Sequence, residues 1–308
     1  MNETKQISYP KLDSLITWAK SIKTDFKIGM INPSSPEILK GAILMAESGI
    51  AEPVIAGLMD KINPIAKELS IDLAKYECVN TKTELAAIDY LVNLAAKNGL
   101  NALVKGNVHS DDLLRAFLAC PEFKTKRRIS HCLYVDLPGY HKPLILTDAA
   151  INVAPNLATK KDMIQNAIDF ALSMNIKEPK VAIIAAVETI LEYLPSTTDA
   201  ALLTKMAERG LIKGGIIEGP LDFDCAISKE SAKIKNIDSV VCGDPDILVM
   251  PNIDTANVAH KILTYISNAG NAGLVVGAKI PIALMSRSSA SLELLASAAL
   301  AKISYQKV

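Results

Sequence analysis

The stretch Gly277-Ala-Lys-Ile-Pro-Ile-Ala-Leu-Met-Ser-Arg-Ser-Ser-Ala-Ser-Leu-Glu293 sets the fold expected for this chain. Its apolar run 281–285 has the length and β-branched content of a strand. Hydroxyls and a guanidinium follow at 286–289, and apolar residues then recur at helical spacing from Leu292. Open α/β sheets bind ligands at such carboxyl edges, where a helix N-terminus attracts anions. The stretch therefore predicts an anion site on an α/β sheet, although serines before helices are also ordinary caps.

The rest of the chain shows the same alternation of short apolar runs and helical periodicity. It predicts an α/β protein with mainly parallel sheets covered by helices. The pattern changes at the basic run 124–128, after which two strand-like segments, Ile129–Val135 and Leu144–Thr147, flank a Pro-Gly turn. These segments predict an antiparallel pair, and we place a domain boundary near Arg128.

Composition restricts the function classes. The chain has 308 residues, half of them apolar, and 33 basic residues balance 33 acidic ones. A net charge of zero argues against non-specific nucleic-acid binding and against a basic membrane surface. There is no signal-peptide pattern and no stretch of about 18 apolar residues, so we expect a cytoplasmic protein. The five cysteines are scattered without a CxxC pair, which indicates reduced thiols rather than structural zinc.

Standard catalytic fingerprints are absent from the sequence. It has no GxGxxG after a strand, no Walker A sequence, no GxSxG elbow and no HExxH pair. The acidic segments 218–224 and 243–254 fit turn formers and caps better than metal ligands, so we expect no metal. Asn257 follows the second acidic segment and is expected to begin a helix that faces a cleft.

A second strand, loop and helix pattern occurs at Val104-Lys-Gly-Asn-Val-His-Ser-Asp-Asp-Leu-Leu-Arg115. Ser110 or Asp111 should cap the helix, which carries Arg115 about one turn from its start. Arg115 and Arg287 would then both lie beyond the carboxyl ends of strands. Two guanidinium groups at one cleft suit a dianionic phosphate because each forms bidentate bonds to oxyanions. The alternative is that Arg115 is an ordinary surface arginine.

Taken together, several segments resemble the phosphate acetyltransferase/phosphate butyryltransferase family. The segments that carry the resemblance are Val104-Lys-Gly-Asn-Val-His-Ser…Arg115, Glu218-Gly-Pro-Leu-Asp-Phe-Asp-Cys-Ala226, Gly243-Asp-Pro-Asp-Ile-Leu-Val-Met-Pro-Asn-Ile-Asp-Thr-Ala-Asn257 and Val276-Gly-Ala-Lys-Ile-Pro-Ile-Ala-Leu-Met-Ser-Arg287. The resemblance implies acyl transfer between coenzyme A and inorganic phosphate, with coenzyme A as a substrate and no resident cofactor. It also implies a homodimer and the two-domain fold of isocitrate and isopropylmalate dehydrogenases.

In that fold the chain ends complete the first domain. The expected domains are therefore 1–127 with 277–308, and 128–276, with the active-site cleft between them. By resemblance, Ser286, Arg287 and Glu293 are catalytic.

Arg115 and Arg287 are the phosphate ligands that the resemblance implies. His109, Ser110 and Asn257 are possible cleft residues. The acetyl-specific branch has aspartate where this chain has Glu293, and the segment Val-Val-Gly-Ala-Lys-Ile-Pro is closer to the butyryl-type branch.

The reaction requires a thiol to attack an acyl phosphate. A free thiol has a pKa of about 8.5 and glutamate one of about 4.3, a gap of about four units, or roughly 5–6 kcal/mol. Glu293 would need desolvation to act as the base. Alternatively, nearby positive charge stabilises the thiolate. Ser286 would bond the sulfur and Arg287 the oxyanion or phosphate.

Two other functions fit the same sequence. One is a decarboxylating dehydrogenase of the same fold, which would need a nicotinamide site and metal-binding aspartates. The other is a non-catalytic acyl-CoA-binding protein. The joint presence of Ser286, Arg287 and Arg115 favours the acyltransferase over the second alternative.

Overall fold

The structure is a computed structural model that describes residues 10–285 and 291–305. The helices are α1 (Pro10–Ser21), α2 (Pro36–Glu47), α3 (Met59–Glu68), α4 (Glu84–Ala96), α5 (Ser110–Ala119), α6 (Leu157–Ser173), α7 (Pro195–Glu208), α8 (Phe223–Ile227), α9 (Lys229–Ile234), α10 (Ile253–Tyr265) and α11 (Ser291–Tyr305). The strands are β1 (Lys27–Ile31), β2 (Glu52–Gly57), β3 (Glu77–Asn80), β4 (Ala102–Lys105), β5 (Ser130–Asp136), β6 (Leu144–Thr147), β7 (Lys180–Ile184), β8 (Ile216–Leu221), β9 (Ile247–Val249), β10 (Gly270–Val276) and β11 (Ile282–Ala283). Within the described ranges, no helix has the length and apolarity needed to cross a membrane.

The described chain divides into two compact units. We call residues 12–127 with 272–285 and 291–305 the terminal unit. This unit contains the last strand, β11, and the last helix, α11. Residues 10–11 with 128–271 form the central unit. Each unit combines strands with helices, which confirms the predicted α/β class.

In the terminal unit the strand order is β3-β2-β1-β4-β11-β10. All neighbours are parallel except β10 and β11. The residues of β4 are all buried, as expected for a central parallel strand covered on both faces. The β10–β11 pair is antiparallel because only a few residues join the two strands, too few for a parallel crossover.

Helices α2 and α11 pack closely in the terminal unit. A Cβ built at Gly41 of α2 would lie 2.9 Å from Cδ1 of Leu294 in α11, so only a glycine allows this approach without a shift. Every residue of α11 from 294 to 303 is buried, because the alanine-rich helix lies deep in the core. This packing fixes where α11 begins.

In the central unit the strand order is β5-β6-β9-β7-β8. Strands β5 and β6 are antiparallel, with Cys132 opposite Thr147, which confirms the pair predicted around the Pro-Gly turn. The remaining neighbours are parallel. The carboxyl ends of β6, β9, β7 and β8 therefore share one edge.

Two element boundaries are set by local contacts. Thr83 caps α4, since its hydroxyl accepts a hydrogen bond from the Ala86 amide at 3.1 Å. Cys242 lies in the loop before β9. Such boundaries depend on contacts that sequence periodicity does not report.

Candidate functional site

Three neighbouring parallel strands of the terminal unit end at one edge and each leads into a helix. Strand β1 precedes α2, β4 precedes α5 and β11 precedes α11, and β4 lies between the other two strands. The register pairs Ile31 with Lys105 and Val104 with Ala283, so the three strands end nearly level. Helix N-termini carry unpaired amide groups and partial positive charge. The sheet thus assembles an anion-attracting edge from three separate parts of the chain.

Asn32 ties three strand ends together at this edge. It is fully buried and adopts a positive φ of 45°. Its amide donates to the Ala56 carbonyl at 2.7 Å, its side-chain Oδ1 accepts from the Leu58 amide at 3.3 Å, and its Nδ2 donates to the Asn107 carbonyl at 3.1 Å. Because β1, β2 and β4 all end at these bonds, Asn32 fixes their relative positions.

Gly106 allows the closest backbone approach at the edge. A Cβ at this residue would lie 2.0 Å from the Ile31 carbonyl oxygen and 2.8 Å from that of Asn32. No side chain fits there without separating β1 from the loop after β4. The glycine therefore holds the loop 106–109 against the end of β1.

Lys105 is the last residue of β4 and is 5 % exposed. Its Nζ lies 3.5 Å from the Gly106 carbonyl oxygen. Burial of an ammonium group is costly unless it interacts with oxygen atoms or negative charge. A lysine retained at a strand end beside a helix N-terminus is therefore suited to bind an oxyanion.

Two buried polar atoms at the same edge have no hydrogen-bond partner among the described residues. They are Oγ of Ser35 and Oδ1 of Asn107. Ser35 is the N-cap of α2, with Pro36 at the first helical position, but the Ser35 hydroxyl makes no capping bond. Buried polar groups are nearly always hydrogen-bonded, and exceptions often mark sites that bind a ligand or water. These atoms can accept hydrogen bonds from a polar ligand or water near the starts of α2 and α5.

The predicted loop after β4 lies at this edge, but its cap differs from the prediction. We expected Ser110 or Asp111 to cap α5. The helix instead begins at Ser110, and His109 is the N-cap without a side-chain capping bond. Ser110 is half-buried and His109 is exposed. The N-terminal amides of α5 are therefore not covered by a capping side chain from His109.

Arg115 lies in the second turn of α5, and its side chain is 78 % exposed. Its Nη1 is 3.5 Å from Oδ1 of Asp112, one turn earlier. Such an exposed ion pair is weak. The guanidinium can therefore exchange Asp112 for a phosphate at little cost.

Glu293 lies in the first turn of α11. The start of this helix is hydrogen-bonded to α2. The Ser291 hydroxyl donates to the backbone carbonyl of Glu37 at 3.1 Å and to the Oε2 atom of the Glu37 side chain at 2.9 Å. This bond lowers the pKa of Glu37. Ser297 donates to the Glu293 carbonyl at 2.7 Å and accepts from the Gly273 amide at 3.1 Å. Glu293 is thus held at the same edge.

Ser286 and Arg287 lie outside the described residues. The described chain stops at Met285, two residues beyond the end of β11, and resumes at Ser291, where α11 begins. The two residues therefore belong to the β11–α11 connection in sequence.

Asn257 belongs to the central unit. It was expected to begin a helix, but α10 starts four residues earlier at Ile253, with Asn252 as its cap through a 2.9 Å bond from the Thr255 amide. The exposed Asn257 donates through Nδ2 to the Ala149 carbonyl at 3.3 Å. It therefore contacts the loop that follows β6, a segment that sequence reasoning did not identify.

That loop is organised by Asp148, which is buried at the end of β6. Its carboxylate accepts from the amides of Ala150 at 2.9 Å and Ile151 at 3.0 Å, and from Nδ2 of Asn152 at 2.7 Å. Asp148 is a turn organiser here because its oxygens are used within the loop. The run Thr-Asp before small residues was the available signal in the sequence.

One side-chain cluster of the described residues has metal-ligand chemistry. Atoms of Asp222, Asp224 and Cys225 lie within 4.8 Å of one another. The Lys235 ammonium group, however, bonds the carboxylates of Asp222 and Asp224. Burial raises the pKa of the Asp222 carboxyl group, but hydrogen bonds from Cys225 and Lys235 outweigh burial and lower this pKa to about 2. A lysine therefore supplies the positive charge that a metal would bring.

Comparison with known proteins assigns this architecture to a family. A family model described as phosphate acetyl/butaryl transferase matches residues 92–302. The chain belongs to this family. The phosphate acetyltransferase of Rhizobium meliloti is 42 % identical over 294 residues, which are 95 % of this chain and 93 % of the relative. The phosphate butyryltransferase of Clostridium beijerinckii is 38 % identical over 277 residues, covering 90 % and 91 %.

A solved structure has the same architecture. The branched-chain phosphotransacylase from Enterococcus faecalis V583 superposes with a TM-score of 0.79 at 29 % identity, covering 91 % of this chain and 99 % of that one. Relatives named for acetyl transfer and for butyryl transfer both match this chain over at least 90 % of its length.

Sequence reasoning missed four residues at the terminal-unit edge: Asn32, Ser35, Lys105 and Asn107. The signal for Asn32 and Ser35 was the segment Asn32-Pro-Ser-Ser-Pro36, which repeats the pattern of a strand, a polar loop and a helix. By periodicity alone, this segment indicates only a break between elements. Lys105 and Asn107 lie in the quoted segment that begins at Val104, where only the residues from His109 onward were singled out.

Replacement of Gly106 by alanine should disrupt the edge. The new Cβ must displace backbone oxygen atoms, so we expect a loss of about 2–4 kcal/mol in the free energy of unfolding. Because the loop before α5 moves, activity should fall about 100-fold. Urea unfolding and steady-state rates measure these effects.

The matched control is Gly49→Ala, where a Cβ meets nothing within 4 Å and only a positive φ of 70° opposes it. This control should lower the free energy of unfolding by about 1–2 kcal/mol and leave the reaction rate unchanged. If Gly106→Ala has the stability and rate of this control, the close approach does not matter.

Proposed function

We propose that this chain is a phosphate acyltransferase that catalyses acyl-CoA + phosphate ⇌ acyl phosphate + CoA, with a short acyl group, acetyl or butyryl. The observation that carries the proposal is that three neighbouring parallel strands, the middle one ending in buried Lys105, each lead into a helix at one sheet edge. An oxyanion is the ligand that this edge favours. Family membership supplies the reaction in which that oxyanion is phosphate.

In this proposal Arg115 and Arg287 bind the phosphate. The position of Arg115 on α5 supports its role, since its ion pair with Asp112 is exposed and easily exchanged. Lys105 and the N-terminal amides of α5 add positive potential. His109 and Ser110, at the start of α5, contact the substrate in this proposal.

Chemistry in the direction of acyl-CoA formation begins at the coenzyme A thiol. Its sulfur attacks the acyl phosphate carbonyl, a carbon–sulfur bond forms, the carbon–oxygen bond to phosphate breaks, and phosphate leaves with that electron pair. Ser286 bonds the sulfur, and Arg287 stabilises the tetrahedral oxyanion. Glu293 accepts the thiol proton, and its place in the first turn of α11 supports this role. No covalent acyl-enzyme is needed when both substrates are held together.

The proposal includes further properties that the family resemblance implies. Coenzyme A is a substrate rather than a resident cofactor, and the fold is the two-domain type of isocitrate and isopropylmalate dehydrogenases. The enzyme is a homodimer. The five free thiols support a reducing compartment, the cytoplasm.

A dehydrogenase function is less well supported. The relatives in Rhizobium and Clostridium are named as transferases, and the Asp222 and Asp224 carboxylates are bonded to Lys235. A protein that only binds acyl-CoA would not need a buried lysine at the strand end beside a helix start whose N-cap makes no side-chain capping bond.

The direct assay is thiol release from acetyl-, propionyl- and butyryl-CoA with and without inorganic phosphate. We expect release that requires phosphate and yields one acyl phosphate per thiol. Release without phosphate, or an absorbance change that requires a nicotinamide nucleotide, would contradict the proposed reaction. The relative rates identify the preferred acyl chain.

Arg115→Ala should raise the KM for phosphate about 10- to 100-fold, because a charge-assisted hydrogen bond is lost, while the KM for acyl-CoA changes little. Arg209→Ala is the control, since Arg209 is an exposed arginine at the end of α7. An unchanged phosphate KM in Arg115→Ala removes this residue from the site.

Glu293→Gln should lower kcat by about 100-fold or more and abolish the acid limb of its pH profile. A base must be deprotonated to work, so the wild-type rate falls as pH falls, whereas glutamine does not titrate. The control is Glu84→Gln, which changes a first-turn glutamate of α4. A wild-type acid limb in Glu293→Gln would show that another group, or the positive edge itself, activates the thiol.

A further inference from the structure

A cavity of about 640 Å³ lies in the central unit beside the amino end of β7. Lys180, the first residue of β7, lines it together with Lys229 and Lys233 of α9 and with the loop that follows α9. We call it the α9 cavity. Small-molecule sites commonly have volumes of about 300–1,000 Å³. Open α/β sheets bind substrates at the carboxyl ends of their strands, so a cavity at an amino end is available for another ligand.

Gly243 holds α9 in place beside the cavity. It has a positive φ of 73°, and a Cβ at this residue would lie 2.4 Å from Cγ and 2.6 Å from the backbone nitrogen of Lys229. The Gly243 amide also donates to the Ala226 carbonyl at 2.8 Å. The backbone that carries Lys229 and Lys233 is therefore fixed before a ligand binds, which lowers the entropy cost of binding.

Two ammonium groups at the cavity receive no counter-charge from the described part of the chain. Lys229 and Lys233 are exposed and one helical turn apart, and neither forms an ion pair with a described residue. Nearby Lys235, by contrast, bonds the carboxylates of Asp222 and Asp224. Like charges at positions i and i+4 of a helix repel each other. The cavity therefore favours a ligand that brings negative charge.

The spacing of these two lysines suits a diphosphate group. Residues four apart on a helix have Cβ atoms about 5–6 Å apart, so two flexible lysine side chains can reach adjacent phosphoryl groups together. Lys180 contributes less positive charge, because its Nζ is paired with Oδ2 of Asp244 at 2.5 Å. Two unpaired ammonium groups match two linked phosphates better than they match one carboxylate.

The loop after α9 supplies groups that suit a nucleoside. Half-buried Ile237 and Val240, which is 61 % exposed, give the cavity an apolar wall that a planar base can cover. Asp238 lies between them and is exposed. A carboxylate repels phosphate but accepts hydrogen bonds from ribose hydroxyls, as an acidic residue does in dinucleotide-binding folds. The acid beside the lysines therefore argues for a ribose-bearing ligand over pyrophosphate alone.

We propose that the α9 cavity binds a nucleoside diphosphate. Lys229 and Lys233 hold the diphosphate group, Ile237 and Val240 contact the base, and Asp238 accepts hydrogen bonds from the ribose. This site goes beyond the proposed function, since it lies outside the terminal-unit edge and its ligand is not consumed in acyl transfer.

Calorimetric titration of the full chain with ADP tests the proposal. We expect saturable binding below about 1 mM in the wild type. Lys229→Gln with Lys233→Gln should raise the dissociation constant at least about 10-fold, because two charge-assisted hydrogen bonds are lost. The matched control is Lys205→Gln with Lys213→Gln, which removes two exposed lysines of the same unit and should bind ADP as the wild type does.

Titration with pyrophosphate separates recognition of the nucleoside from recognition of charge. Wild type should bind ADP more tightly than pyrophosphate, and Asp238→Ala should reduce this preference at least about 10-fold, because the ribose loses its acceptor while the lysines remain. A wild type without this preference, or an unchanged preference in Asp238→Ala, would contradict a nucleoside ligand.

The Arg115→Ala variant distinguishes the α9 cavity from the terminal-unit edge. It should retain wild-type affinity for ADP. The proposal is overturned if wild type shows no saturable ADP binding, if the variant lacking Lys229 and Lys233 binds ADP as tightly as wild type, or if Arg115→Ala alone abolishes ADP binding. Phosphate-dependent thiol release, measured without ADP, tests the proposed function separately, so either hypothesis can fail while the other stands.

Discussion

Parallel pairing of β4 with both β1 and β11 is the constraint on which the site depends. Strand direction decides where each following helix can begin, so three parallel neighbours must deliver three helix N-termini to one edge. The first amide groups of each helix have no partner within the helix, so burying them without a hydrogen bond costs free energy. When they are accessible, they attract anions. The chemistry of the family therefore follows from topology before any charged side chain is considered, and the side chains refine it.

Two residues convert this topology into a fixed geometry. Asn32 bonds the ends of β1, β2 and β4, and Gly106 lets the loop after β4 approach the Ile31 carbonyl more closely than any side chain permits. Lys105 is then held inside the edge rather than extended into water. A preorganised positive site avoids the cost of reorienting water and side chains when an anion reacts, which is the usual advantage of an enzyme over solution. Arg115, by contrast, remains exposed and able to follow the substrate.

Much of the fold was predictable because hydrophobic periodicity and turn residues are local signals. The alternation of strands and helices and the antiparallel β5–β6 pair were both correct. Helix starts were less predictable, since the cap of α5 moved to His109 and the start of α10 to Ile253. Asn32 and Gly106 act through contacts with residues far along the chain, which periodicity does not report. Lys105 looked like an ordinary strand end because burial of a charge depends on neighbouring strands.

The most direct test of the anion-binding edge is a crystal structure of the enzyme with a bound acyl phosphate. We expect the phosphoryl oxygens to lie within hydrogen-bond distance of the α5 N-terminal amides, of Lys105 Nζ or of the Arg115 guanidinium, beside the ends of β1 and β4. An acyl phosphate bound elsewhere on the protein, with this edge covered by water alone, would contradict the role assigned to these groups.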